Sequence, residues 1–493
     1  MRKAVVLMAI LSQSLGMIHA DNYAETRGIG QYPGRLSQFT APKMVKDYIY
    51  RNIALNRMVY TSSNADFNLT GHLVTDGIIT SKAPSFLNVK TNEGELSNRD
   101  KEKMIDGNTV TSQYIKGENA FVEFNWEAMK VNLKKLEFTG ELAFYKDKAS
   151  QGYTIRVMGS HNGKKWEVLG EEKGSDLPGV ATKQQVSSDP NKFQDVVKLP
   201  LRKLNVSIPL KKPGSYEHVR IELIMPGAAW WRIKLIDNST SWRPSMHFAS
   251  VWKSDLAKKT DTKIQWLYVD LGTEADFDQV NLFWINKARN GKIQVSNDAK
   301  NWSDIATLGQ QKQKGLIEKI ACKGHGRYVR LLLTEPDASG RFALSEMQVM
   351  GKGGLRAETA NTLTSTNGKQ MLNQWQLRRE GSDTWIQATV PGTVLTSYMN
   401  IGAVPDNRYD DNMRQISESF FNSDFWYRTT IEYKPSANKQ QHTYLNFDGI
   451  NWKANILLNG EKIGRIDGAF IRSRIDITKK LKPGANKLEV HVI

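Results

Sequence analysis

The sequence predicts an all-β protein built from stacked sandwiches, and three observations carry that reading. Helical periodicity is almost absent. Strand-like alternation recurs roughly every ten residues, punctuated by Asn-Gly, Asp-Gly, Pro-Gly and Gly-Lys turns. One turn device also occurs twice, as Ser160-His161-Asn162-Gly163-Lys164-Lys165-Trp166 and as Ser296-Asn297-Asp298-Ala299-Lys300-Asn301-Trp302. Each copy follows a strand, makes a polar turn and places a Trp to pack back over the hairpin. A chain of 493 residues accommodates roughly three domains of ordinary size.

The elements follow in order. Met1-Arg2-Lys3, the apolar run Ala4–Leu11 and a polar stretch ending at Ala20 predict a signal peptide over 1–20, although Ile18 stands where a small residue is usual. The apolar run is too short to cross a hydrocarbon core of ~30 Å, and no later stretch is long or apolar enough. The expectation is therefore export to the periplasm or the extracellular space, with no transmembrane segment. Residues 21–50, containing Arg27-Gly28-Ile29-Gly30 and Tyr32-Pro33-Gly34, read as an extended arm over the first module. No strand precedes those glycines and no helix follows, which removes a phosphate loop. A first sandwich is expected over 51–236, with a polar loop near Lys90 to Gly117. A second is expected over 237–352. Residues 353–370, rich in Gly, Thr, Ser and Asn, read as a linker into a last sandwich over 371–493.

In that last segment, Leu445 and Phe447 alternate with Tyr444 and Asn446, and Asp448-Gly449 supplies a turn. Ala454, Ile456 and Leu458 then alternate with Asn455, Leu457 and Asn459 before Asn459-Gly460 closes a hairpin.

The formal charge is +17, or about +15 without Arg2 and Lys3. Basic exported proteins favour anionic polysaccharide or membrane surfaces. The basic residues are scattered pairs such as Lys134-Lys135 and Lys211-Lys212, not a stripe, which argues against nucleic acid. Cys322 is the only cysteine, so no intramolecular disulfide forms, and its place before a strand suits a small buried filler. No run has zinc-ligand spacing, and HExxH, P-loop and GxSxG motifs are absent.

Two resemblances extend this reading. The last segment contains, in order, Trp385–Val394, Asp406-Asn407-Arg408-Tyr409, Asn412-Met413, Phe425-Trp426-Tyr427-Arg428, the two strand runs above, Gly468-Ala469-Phe470, Ile475–Thr478 and Pro483–Val490. This series resembles the sugar-binding jelly roll that opens glycoside hydrolase family 2 enzymes, most nearly the exo-β-glucosaminidase and β-mannosidase branch. Upstream, Trp252-Lys253-Ser254, Gln265–Gly272, Trp302, Gly326–Arg330 and Ser345–Gly351 resemble discoidin modules, the fold shared with carbohydrate-binding module family 32. A looser first copy shows Asn52–Leu55, Leu73–Gly77 and Phe121–Phe124. The fold class implied is three consecutive β-sandwiches: two discoidin-like jelly rolls and a family 2 jelly roll.

The resemblance implies glycan binding by loops at one end of a module, where aromatic faces stack on sugars and polar side chains bond hydroxyls. Trp242, Arg243, His247, Asn286, Lys287 and Arg289 are the candidates in the second copy, with Trp230 and Trp231 near the end of the first. Asp406, Asn407 and Arg408 are candidates in the last domain. Trp252, Trp266 and Trp302 are expected in the core, as are Trp385, Phe425 and Trp426. Arg428 is expected to pair with Asp448 or another carboxylate. Relatives also hold a structural calcium through an Asp-Gly loop and an acid of the final strand. Asp76-Gly77 supplies the first in one copy and Glu346 the second in the other, so neither copy completes the set.

No catalytic residue is expected here. Retaining hydrolysis needs two carboxyls ~5–5.5 Å apart in a cleft, and the resemblance places them on a barrel absent from this chain. The expected partners are glycans and that barrel. The alternative is a free-standing glycan- or surface-binding adhesion protein. A polycationic glycan would be repelled at long range by a chain this basic, whereas neutral or sulfated glycans would not.

Overall fold

Small aliphatic side chains at every second position decide which face of each strand turns inward, and long antiparallel strands result. The computed structural model describes residues 42–82, 85–96, 100–101, 103–106, 112–144, 152–174, 182–186, 197–226, 228–235, 242, 248–255, 264–309, 315–358, 368–436 and 441–493. The expected signal peptide, most of the arm, Arg243 and His247 lie outside them. No helix among the described residues is long and apolar enough to cross a membrane. The chain forms two compact units, one of residues up to Ser81 together with Ser250–Ile493, the other Lys82–Ala249.

In the first unit, Gln265–Asn286 and Ile317–Glu335 run side by side through an eight-stranded sheet. Its order is Trp252–Lys253, Ala343–Lys352, Gln265–Asn286, Ile317–Glu335, Asn290–Ser296 and Ser303–Leu308. Leu267, Val269, Leu271, Val329, Leu331 and Leu333 point into a core that also holds Trp252 and Trp284. The register steps between Asp270 and Ala275, where Gly272 has φ +77°.

Two further strands belong to this sheet. Arg51–Asn52 pairs with Ala343–Lys352, and Met58–Thr61 pairs with Gln265–Asn286. Residues 51–61 therefore complete the later module and not the 51–236 sandwich the sequence suggested. The chain leaves and returns at one point, because Ser345 Oγ accepts from Thr80 N (2.8 Å) and lies 3.0 Å from Ser250 O. Lys82–Ala249 is thus an insertion between two segments of one module. The arm differs from expectation too: Met44–Lys46 pairs with Leu355–Ala357, just beyond that module.

The same unit contains the last sandwich. Its six-stranded sheet runs Ile386–Gln387, Gln376–Arg379, Phe425–Tyr433, Gly484–Val492, Lys453–Leu458 and Glu461–Asp467, with Tyr444–Phe447 paired to Ser473–Asp476. Asn459 and Gly460 both have positive φ, as a tight hairpin turn of this type demands. The two domains of this unit lock through His72. Its Nε2 accepts from Ser417 N (2.9 Å) and its ring meets Phe420 edge-on at 5.3 Å. Burial lowers the His72 pKa to about 3, so the ring stays neutral and can accept.

Lys82–Ala249 is a two-sheet sandwich. Six strands run Glu167–Gly174, Tyr153–Ser160, His218–Ile224, Asn119–Glu127, Phe86–Thr91 and Gly94–Glu95. Five run Thr182–Val186, Val197–Tyr216, Val131–Phe144, Ala228–Leu235 and Gln113–Lys116. Phe124, Trp126, Phe138, Trp231 and Trp242 fill the space between the sheets.

Candidate functional site

The proposed loop residues separate into three places. Trp242 belongs to the core of the inserted unit, where it crosses Trp126 at 90° with ring centroids 5.2 Å apart and its carbonyl accepts from Trp126 Nε1 (2.6 Å). Trp231 is fully buried there as well. Neither ring offers a face to a sugar, because each is needed to fill the gap between sheets. Trp230 lies in Ala228–Leu235, paired with Lys116.

Asn286, Lys287 and Arg289 do come together, at the turn between Gln265–Asn286 and Asn290–Ser296. Asn286 Nδ2 donates to Asp337 Oδ2 (3.1 Å), and Lys287 Nζ lies 2.9 Å from Glu318 Oε1. Glu318 is buried and also accepts from Trp284 Nε1 (2.8 Å). Arg289 is exposed and only loosely paired, 3.9 Å from Glu335. The cluster thus presents amide, guanidinium, ammonium and carboxylate groups side by side, a set suited to sugar hydroxyls. Asp406 and Arg408 form a closed turn of their own: Arg408 donates through Nε (2.9 Å), Nη2 (2.6 Å) and its backbone N (3.0 Å). These bonds pull the Asp406 carboxyl down to about 2. Asn407 is half-buried beside them.

The insertion point brings together the two acids that the sequence had assigned to different copies. Asp76 accepts from Ser250 Oγ (2.6 Å) and Ile78 N (2.8 Å). Glu346 Oε2 accepts from Gly77 N (3.3 Å), while its Oε1 is buried without a partner among the described residues. Gly77 has φ +81°, and a Cβ there would meet Leu55 Cδ1 at 2.9 Å, so glycine is required. Burial pushes the Asp76 pKa up to about 7 and that of Glu346 well above the ordinary range.

Two arrangements satisfy this pair. With a proton on Asp76, its carboxyl donates to Ser250 Oγ, which in turn donates to Leu73 O (3.0 Å). Alternatively a hard divalent cation such as calcium fits: the unpartnered Glu346 oxygen and Asp76 would ligate it, and the ion would compensate their charge. Among the described residues no cluster of three or more His, Cys, Asp or Glu surrounds the pair, so backbone carbonyls or hydroxyls would complete the shell. Sequence reasoning missed this pairing because 168 residues, Lys82–Ala249, separate the two module segments.

Comparison with known proteins bears on the two domains of the larger unit. Residues 375–493 match the family described as glycosyl hydrolase 2 galactose-binding domain-like. Residues 234–331 match the NedA-like, galactose-binding domain. This chain carries galactose-binding-like domains, one of the glycosyl hydrolase 2 type.

A mannosylglycoprotein endo-beta-mannosidase of Lilium longiflorum is 42% identical over 113 residues, covering 22% of this chain and 12% of the relative. An exo-beta-D-glucosaminidase of Amycolatopsis orientalis is 29% identical over 111 residues, covering 22% and 10%. The chain thus matches only about a tenth of the length of these curated relatives. Among solved structures, a beta-D-mannosidase from Dictyoglomus thermophilum aligns at 31% identity with TM-score 0.23, over 24% of this chain and 14% of that one. A chitosan-binding module in complex with chitotriose, from a chitosanase/glucanase of Paenibacillus sp. IK-5, aligns at 27% identity with TM-score 0.18, over 20% and 77%.

Within the glycosyl hydrolase 2 domain, Phe425 is core, as expected. Arg428 does not pair with Asp448: its Nε donates to Gln376 Oε1 (2.8 Å) and its guanidinium lies 3.9 Å over Trp385. Trp385 and Trp426 are half-buried, the latter stacked on His491 at 4.3 Å.

Proposed function

We propose that this chain is the glycan-binding region of an exported glycoside hydrolase family 2 enzyme of the exo-β-glucosaminidase/β-mannosidase type. The observation that carries the reading is the match of residues 375–493, reaching 42% identity with an endo-beta-mannosidase. A galactose-binding-like module packed beside that domain suits delivery of a saccharide to an enzyme. The binding residues are Asn286, Lys287 and Arg289, supported by Asp337 and Glu335, because they gather donors and acceptors on one exposed turn. Asp76 and Glu346 have raised proton affinity but are buried, and their role is structural. Hydrolytic chemistry is assigned to the barrel of the same enzyme.

Retention on insoluble β-mannan and chitin tests the reading. The chain should be retained, and Asn286→Ala/Arg289→Ala should reduce retention at least fivefold with unchanged circular dichroism. Equal retention of the variant would reject this turn as the binding site.

A further inference from the structure

Trp266 and Trp302, expected in the core, lie half-buried on the outward face of the eight-stranded sheet. The cause is alternation: Leu267, Val269, Val329 and Leu331 take the inward positions, and their neighbours must point out. On that face Trp266 stacks on Tyr268 at 5.5 Å, and Tyr268 stacks on Tyr60 at 5.1 Å. Trp302 and Tyr328 flank Tyr268 at 5.6 and 5.9 Å. Five aromatic rings therefore share one side of the sheet.

Arg330 stands among these rings. Its guanidinium lies 4.0 Å over Trp302, and its Nε donates to Gln294 Oε1 (2.8 Å). Among the described residues it has no carboxylate within ion-pair distance, and its two Nη groups make no hydrogen bond. A guanidinium fixed by its Nε and by a ring leaves a planar pair of donors for a carboxylate or sulfate. Its neighbour Arg327 is engaged, with Nε and Nη2 each 2.8 Å from Asp270.

The inserted unit provides the control. There Arg220 lies over Trp166 (4.5 Å) just as Arg330 lies over Trp302. Arg220 pairs across the strands with Glu123 and donates to it, whereas Arg330 pairs with Tyr268. The Trp–Arg stack alone is a structural device of this fold. Only the face with Arg330 combines it with a row of rings and a guanidinium that makes no direct ion pair, Asp304 reaching it through Gln294, whose Nε2 donates to Asp304 Oδ1 (2.6 Å).

We propose that this outward face is a second saccharide-binding surface, selective for glycan chains bearing carboxylate or sulfate groups. Pyranose C–H faces contact the exposed parts of Trp266, Tyr268 and Tyr60, and Arg330 holds the anionic substituent. The formal charge of +17 draws such chains toward the protein at low ionic strength. This surface is independent of the Asn286–Arg289 turn.

Affinity electrophoresis of the full chain tests it, in gels containing polygalacturonate, dextran sulfate or neutral galactomannan. Retardation is expected in at least one of the two anionic gels, the pair showing whether carboxylate or sulfate is preferred, and it should weaken with salt. Arg330→Gln should reduce the apparent affinity at least tenfold, and Arg330→Lys should reduce it less. Trp266→Ala should cost at least fivefold with near-ultraviolet circular dichroism otherwise native. The Asn286→Ala/Arg289→Ala protein should keep most of the retardation, which separates this surface from the turn. Undiminished binding by Arg330→Gln or by Trp266→Ala would overturn the proposal. Equal retardation of the Asn286→Ala/Arg289→Ala protein by the neutral glycan would do the same.

Discussion

The two copies of the Ser-to-Trp turn, one in each unit, are built from the same bonds, with Asn162 in one where Asp298 stands in the other, and diverge at two further points. Ser160 Oγ accepts from the backbone of Asn162 and Gly163, and Asn162 Oδ1 from Lys164 and Lys165. Ser296 Oγ accepts from Asp298 and Ala299, and Asp298 Oδ1 from Lys300 and Asn301. Trp166 and Trp302 each close the loop through Nε1, onto Gly163 O (3.1 Å) and Ala299 O (3.2 Å). One divergence is the positive-φ residue, Gly163 in one copy and Ala299 in the other. The other is the partner of the arginine over the Trp. Shared turns show that local chemistry is conserved between the units' architectures, while the charge balance of the outward face is free to change.

The largest test of that contrast is Glu123. It is buried and bridges Arg220 and Lys90, the latter at 3.0 Å. Glu123→Ala removes the buried acceptor of Arg220, which keeps only the longer contact to Glu222 (3.7 Å), and frees the exposed Lys90. It should destabilise the inserted unit by about 1–3 kcal/mol, measured by urea unfolding. Arg330→Gln breaks no ion pair and should cost under about 1 kcal/mol in the same assay. Comparable losses at both positions would dissolve the distinction between the faces.

The next effect is in the larger unit alone. The Asp76 pKa is raised from 3.8 to about 7, so the folded state binds the extra proton between those values. Its contribution to stability is complete below about pH 4 and is lost as pH rises toward 7, with a slope of up to ~1.4 kcal/mol per pH unit. His72, held neutral by burial, contributes with the opposite sign and Glu346 with the same sign. The Asp76 share is therefore read in chelator as the stability difference between the parent and Asp76→Asn, which should fall with pH at this slope. Calcium should raise the melting temperature at pH 8 in the parent and not in Asp76→Asn. A parent-minus-variant difference that does not change with pH, together with no effect of calcium, would count against the buried pair as described.

Smaller still is the positive-φ position. A Cβ on Gly163 would lie 3.0 Å from His218 Cε1 at φ +67°, so Gly163→Ala should cost about 1–2 kcal/mol. Ala299, at φ +57°, already carries that strain, and Ala299→Gly should gain a few tenths to about 1 kcal/mol. Opposite signs in the two copies are the outcome to look for.

Strand alternation and turn chemistry made the all-β class legible in the sequence, and Leu445, Ala454 and Ile456 do turn inward as their spacing indicates. The polarity of the long strands was not legible. Trp266 and Tyr268 alternate with Leu267 and Val269, both sets are apolar, and only packing decides that the smaller set fills the core. Trp242 misled for a related reason, since an aromatic residue outside any regular strand can close a core as readily as line a loop. His72 carried no sequence signal at all, because its partner Ser417 lies 345 residues away. The same non-local pairing hid the Asp76–Glu346 site.

The module proposed to bind glycans is assembled from chain segments on either side of Lys82–Ala249. Thr80 and Ser250 meet at the same Ser345 hydroxyl, so a short Gly-Ser linker can replace residues 82–249. The decisive measurement is the affinity of that shortened protein for a soluble β-mannan fragment, by isothermal titration calorimetry. The account predicts cooperative unfolding and an affinity within about threefold of the full chain (under ~1 kcal/mol). A folded shortened protein that no longer binds would contradict it.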